Sequence, residues 1–112
     1  MNNLKKDREF QKIYNSGRKS FGYYSLIFFK KNDNNLKRCG FVVSKKTGNA
    51  VCRNRLKRLF REYYRNKEHL IKDGYDIIFV AKKTAGEKFK SLKDQDMERD
   101  LNKVLTNAKI FK

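Results

Sequence analysis

The chain has 112 residues, with 29 Lys and Arg against 12 Asp and Glu, a formal net charge of +17 at pH 7 and a pI near 10.1. That length suits one core, so residues 1–112 read as a single domain. Self-repulsion at this charge opposes compaction and implies a polyanionic partner, and no apolar run approaches the ~20 residues of a helical bilayer span.

The first six residues carry no apolar export core, which predicts a cytoplasmic protein. Residues 7–16 read as a helix, with Asp7 as N-cap, Phe10, Ile13 and Tyr14 at helical spacing, and Gly17 as the stop. A short strand is expected at 18–21. Residues 23–30 are rich in aromatic and β-branched types and read as a strand, followed by a turn at Asn32-Asp33-Asn34-Asn35. Residues 37–44 form the next strand, expected to pair with 23–30 as a hairpin. Strand 23–30 has Tyr24, Leu26 and Phe28 on one face and Ile27 and Phe29 on the other. For a strand near the edge of a small domain, this predicts that part of one face is a binding surface. Phe10, Tyr14 and Phe28 would supply the aromatic platform on which single-stranded nucleic acid stacks.

A loop at 45–49 leads into a helix over 50–65. From Lys45 to Arg65 there are eight cationic side chains and one carboxylate, Glu62. At about 100° per residue, Cys52, Leu56, Leu59, Phe60 and Tyr63 share one core-facing arc. Arg53, Asn54, Lys57, Arg58, Arg61 and Arg65 fall opposite them, a comb for phosphates. Asp73-Gly74 is a turn, 75–82 an apolar strand, and about 91–108 a last helix with Ser91 opening a capping box. Met97, Leu101, Val104, Leu105 and Ala108 form its stripe. The element order is helix, two or three strands, helix, strand, helix, an α+β fold. A parallel crossover from 37–44 through the basic helix to 75–82 would be right-handed on general grounds.

No catalytic constellation is visible. Cys39 and Cys52 lie 13 residues apart and His69 is the lone histidine, too few for a Cys/His zinc site. Both cysteines read as buried hydrophobes. Asp94, Asp96, Glu98 and Asp100 diverge around the last helix and are expected to serve its N-terminus and to pair with Arg99 and Lys103. Gly48 stands alone, without a glycine-rich phosphate loop. Neither catalytic nor metal-binding residues are expected.

Ser44-Lys45-Lys46, Gly48-Asn49-Ala50-Val51 and the run Arg53-Asn54-Arg55-Leu56-Lys57-Arg58-Leu59-Phe60-Arg61-Glu62 resemble the signature of bacterial ribonuclease P protein subunits. Glu9-Phe10-Gln11-Lys12 with Tyr14 and Gly17 resembles that family's first helix, and Gly74-Tyr75-Asp76-Ile77-Ile78 its fourth strand. The resemblance implies a small α/β sandwich in the order α-β-β-β-α-β-α, similar to the second domain of a ribosomal protein, with a left-handed crossover instead. It implies a monomer that binds a catalytic RNA and assists endonucleolytic removal of the 5′ leader of precursor tRNA. The active site and its Mg²⁺ would belong to the RNA–protein holoenzyme's RNA, with no cofactor held by the protein alone. By the resemblance, Arg53, Asn54, Arg55, Lys57, Arg58 and Arg61 face the catalytic RNA, with Arg65 on the same comb. Phe10, Tyr14 and Phe28 line a leader cleft, with Lys12, Lys45 and Lys46 as phosphate contacts. The competing readings are a general RNA-binding or ribosome-associated protein, a DNA major-groove binder, and a nuclease in its own right.

Overall fold

A computed structural model describes residues 1–112. The elements run β1 Asn2–Asn3, α1 Asp7–Ser16, β2 Arg18–Phe21, β3 Ser25–Lys31, β4 Arg38–Val42 and α2 Ala50–Lys67. A 3₁₀ turn at Glu68–Leu70 then leads to β5 Tyr75–Ala81, α3 Lys83–Lys88 and α4 Asp94–Asn107. The fold is α+β, with all five strands in one sheet ordered β1-β4-β5-β3-β2. β4 and β5 are parallel neighbours joined through α2. β5 runs antiparallel to β3, and the short strand expected at 18–21 is β2, in a hairpin with β3.

The hairpin expected between residues 23–30 and 37–44 does not form, because β5 lies between those strands. Phe28 pairs with Ile78, and Ile78 with Gly40. Ile77, Ile78 and Phe79 are buried on both faces of β5, which places it inside the sheet and not at an edge. The link over residues 32–37 can extend to about 20 Å, and strands two apart lie only about 10 Å from each other. The asparagine-rich turn is present, with Asn32 Nδ2 donating to the Leu36 carbonyl at 2.9 Å and Asn35 at φ 57°. It bends a connection that passes over one strand.

Helix starts also shift. Lys6, not Asp7, precedes α1, and the Glu9 carboxylate accepts the backbone N–H groups of Lys5 and Lys6 at 3.2 and 3.0 Å. α4 begins at Asp94, where Asp96 accepts the Lys93 N–H at 2.9 Å. Ser91 belongs to the turn after α3, its hydroxyl donating to the Lys88 carbonyl. β1 and α3 are too short for periodicity to announce them.

The two faces of the sheet are covered unequally. On one, α2 and α4 seal a cluster of 21 buried residues that includes Ile27, Phe29, Cys39, Ile77 and Phe79 from the strands. Phe79 sits at its centre, with the rings of Phe41, Phe60 and Tyr64 at centroid distances of 5.6, 5.9 and 5.9 Å. On the other face the buried cluster is only Leu4, Ile13 and Ile78. Asp100 is not a surface acid of α4. It is buried, and its carboxylate accepts the N–H groups of Tyr23 and Tyr24 at 2.7 and 3.0 Å and the Ser25 hydroxyl at 2.8 Å. That fastens the β2–β3 turn to α4. Asp96 reaches Arg99 at 3.8 Å as expected, whereas Glu98 pairs with Lys67 at 3.5 Å.

Candidate nucleic-acid interface

Asn49 caps α2 by accepting the Cys52 N–H at 2.9 Å. The expected apolar arc is buried, and Tyr64 joins it. The opposite side is less uniform than a comb. Asn54, Arg58, Arg61 and Arg65 form an exposed outer ridge with Val51. Arg53 and Arg55 lie on its flanks and are partly committed to the protein itself. Arg53 Nη1 donates to the Gly48 carbonyl at 2.8 Å. Arg55 donates from Nε to the Phe89 carbonyl at 2.9 Å and from Nη2 to the Leu92 carbonyl at 2.6 Å. These bonds tie the loop before α2 and the α3–α4 turn to the helix, while the remaining guanidinium donors stay free. Lys57 is half-buried. Arg58 has Glu62 at 4.0 Å, an exposed pair that adds little to stability.

On the sparsely covered face, α1 lies over a row of residues in register: Gly40, Ile78, Phe28 and Lys19. Gly40 lets the Phe10 ring rest on the sheet, since a Cβ there would stand 2.7 Å from two ring atoms. Tyr14 meets Phe28 edge to face at 4.8 Å, and Lys19 Nζ lies 5.3 Å from the centroid of the Phe28 ring. Phe10, Tyr14 and Phe28 are thus brought together, and all three stay half-buried. The next row along the strands is Val42, Val80, Leu26 and Phe21. It is only partly covered, and Phe21 is 61% exposed. With the α1 aromatics as one wall, this row makes a trough across four strands, about 14 Å at the usual strand spacing.

Lys45 and Lys46 are exposed in the turn that follows β4, close after Val42. Gly86 of α3 packs against the Thr47 carbonyl so tightly that no side chain fits there, which braces this turn. Arg61 lines a small hollow with Leu4, Phe10 and Phe41, so the basic ridge and the aromatic trough meet at the β4 edge. Lys12 is placed elsewhere. It projects from the flank of α1 away from Phe10 and Tyr14, into a groove with Arg8, Lys30 and Lys31. Phe21 and Lys19 were missed from the sequence. Their alternation in 18–21, followed by a Gly22 turn, carries the signal that would have placed them opposite Leu26 and Phe28.

The remaining chemistry is structural. Arg38 donates from Nε and Nη2 to Asp76 at 2.8 and 2.6 Å and from Nη1 to Glu9 at 2.6 Å, clamping α1 to β4 and β5. The backbone N–H groups of Lys6 and Lys5, and then Arg38, hold the Glu9 carboxyl below its ordinary value. Burial pushes the Cys39 thiol up to about 12 and raises that of Cys52, so neither is a ready nucleophile. His69 is exposed on the 3₁₀ turn. No three His, Cys, Asp or Glu side chains converge as metal ligands would, and no helix is long and apolar enough to cross a membrane.

A cationic ridge joined to an aromatic trough on one small α+β sheet defines a basic protein built to face a polyanion. The family model described as Ribonuclease P matches residues 1–109. The ribonuclease P protein component of Fusobacterium nucleatum is 60% identical over 111 residues, spanning 99% of this chain and 100% of that one. Among solved structures, the RNase P protein from Thermotoga maritima superposes with a TM-score of 0.87 at 31% identity, covering 96% of this chain and 97% of that one. The Staphylococcus aureus RNase P protein gives a TM-score of 0.86 at 32% identity, covering 100% and 99%. The chain belongs to the ribonuclease P protein family, the protein component of that endoribonuclease.

Proposed function

We propose that one copy of this chain, in the cytoplasm, binds the catalytic RNA of ribonuclease P through the α2 ridge and takes the single-stranded 5′ leader of precursor tRNA in the trough. The RNA then performs the cleavage that frees the mature 5′ end. The observation that carries this reading is the trough itself. Phe10, Tyr14 and Phe28 are gathered on one sheet face yet left half-buried, with Lys19 against Phe28 and Lys45 and Lys46 exposed in the turn after β4.

Two physical effects follow. Base–aromatic stacking contributes about 1–3 kcal/mol per base and tolerates any sequence, which suits a subunit serving many leaders. Only the precursor has a leader, so this affinity favours precursor over product. Along the ridge, each phosphate neutralised releases counterions, which makes RNA affinity fall steeply with salt. Arg58, Arg61 and Arg65 would meet phosphates directly, with Arg53, Arg55 and Lys57 adding their free donors. Lowered repulsion between two RNAs also reduces the Mg²⁺ they need to assemble.

The three carboxylates drawn into the fold are already engaged by protein donors. Glu9 and Asp76 are bound by Arg38, and the Asp100 oxygens are taken by Tyr23, Tyr24 and Ser25. In this reading the Mg²⁺ is held by the RNA of the holoenzyme. The deciding experiment is multiple-turnover cleavage of a leader-bearing precursor tRNA by a bacterial ribonuclease P RNA at low Mg²⁺, with and without the protein. Cleavage at the mature 5′ end that requires both components is expected. Cleavage by the protein alone would overturn the reading, as would no stimulation of an RNA that is active by itself at high Mg²⁺.

A further inference from the structure

The second flank of α1 carries a different surface from the first. Arg8 and Lys12, one turn apart, face Lys30 and Lys31 at the end of β3 across a groove of about 630 Å³. Its only apolar lining residue is Ile13. None of these four cations has a carboxylate within ion-pair distance. The floor offsets them only in part, because Asp76 and Glu9 share Arg38 and are turned toward it, and Glu9 also accepts two backbone N–H groups. Asp33 is the one remaining acid of the lining, so Arg8, Lys12, Lys30, Lys31 and Arg38 against Glu9, Asp33 and Asp76 leave five minus three, a net +2. Beyond Lys30 and Lys31 the groove continues into a hollow bordered by Ser16, Gly17 and Arg18. No aromatic ring lines the groove itself. In the adjoining hollow Phe29 is buried, with the Arg18 guanidinium over it at 5.7 Å, and the half-buried Tyr75 packs against it at 6.4 Å.

Cations and amides without a free ring can meet phosphate and sugar but cannot stack an unpaired base. Paired RNA offers that surface, because its bases are hidden and its backbone is exposed. We propose that this groove is a second RNA site, which takes the phosphate backbone of a paired RNA segment. The unpaired leader is left to the trough across α1, and that half of the division rests on the function proposed above.

The test compares two triple variants with the unaltered protein. Lys12→Gln, Lys30→Gln and Lys31→Gln remove groove charge and spare Arg38. Lys103→Gln, Lys109→Gln and Lys112→Gln remove the same charge from α4 and the chain's end. Binding to a short blunt RNA duplex is titrated over a range of salt, and affinities for precursor and mature tRNA are measured with ribonuclease P RNA present. With a slope of about 0.7–0.9 per phosphate contact, the groove triple should flatten the log–log salt dependence by about two, and the control triple should leave it unchanged. The ratio of precursor to mature affinity should stay within about twofold of the unaltered protein's in the groove triple, a change under 0.5 kcal/mol at about 1.4 kcal/mol per factor of ten. An unchanged slope in the groove triple would overturn the proposal, and so would an equal loss in both triples, which means diffuse attraction. Collapse of the precursor preference would overturn it too, by assigning the groove to the leader. If the duplex result holds but the protein fails to support ribonuclease P RNA, the proposed function fails and the groove stands.

Discussion

The two faces of this sheet are built from similar strand residues and come to different ends. β3 offers Ile27 and Phe29 to one side and Leu26 and Phe28 to the other, and β5 is apolar on both. On the first side α2, 18 residues long, and α4, 14 residues long, lie over the strands and bury them. On the second side the 10-residue α1 covers one row and leaves the next partly open. A ring under two helices is committed to stability, whereas a ring beside one short helix keeps a face for a ligand. Coverage, and not the apolarity of the strand, separates core from binding surface.

That contrast can be broken by experiment. Phe60→Ala, in the sealed face, should cost about 3–5 kcal/mol in denaturant unfolding, and Phe28→Ala clearly less. Equal costs would mean that the open face is merely a second core. Asp100→Ala should cost about 1.5–3 kcal/mol by stranding two part-buried N–H groups and the buried Ser25 hydroxyl, with Asp100→Asn recovering part of the loss. An unaffected midpoint would show that the turn is held by other contacts.

Tyr64→Phe should act in the opposite direction. The Tyr64 hydroxyl is buried beside the Cys39 thiol and Glu68 without a well-formed hydrogen bond to either, so removing it should stabilise by about 1 kcal/mol and raise the melting temperature by roughly 4–8 °C. A lowered melting temperature would reveal a partner for that hydroxyl.

The clamp on α1 adds a pH signature. Because the Glu9 carboxyl titrates below 4.5 when folded, its contribution is present above 4.5 and is lost as pH falls through the folded value. Glu9→Gln should therefore lower stability modestly at neutral pH, where the charged clamp is intact, and converge with the unaltered protein as pH falls below 4.5, giving a flatter acid profile. Identical acid profiles would remove Glu9 from the clamp. The smallest effect on stability belongs to Phe21→Ala, within about 0.5 kcal/mol, since the ring is largely exposed. The same variant should weaken precursor binding only for leaders long enough to reach β2. A uniform loss for leaders of every length would take Phe21 out of the trough.

Much of this protein is legible in the chain itself. Periodicity located α1, α2, β5 and α4, the arc of Cys52, Leu56, Leu59, Phe60 and Tyr63 identified the packing face of α2, and charge marked its outer ridge. These are local properties, since the side of an element on which a residue falls follows from backbone repeat alone. Partners are not local. β5 took the place between β3 and β4 because it is the strand that needs cover on both faces, and pairing order depends on all the strands together. Arg55 reads like its neighbours in sequence, but the turn after α3 brings two carbonyls to it. Lys12 shares a helix with Phe10 and Tyr14 but falls about 160–200° around it from them, so its flank was legible in the repeat; only the tertiary structure set Lys30 and Lys31 opposite it. Asp100 looks like one more surface acid until the β2–β3 turn presents three donors to it. The sequence by itself determined what each segment is and which side of it is apolar or charged. Only the tertiary structure decided which of those sides are covered, because burial is a property of two elements in contact.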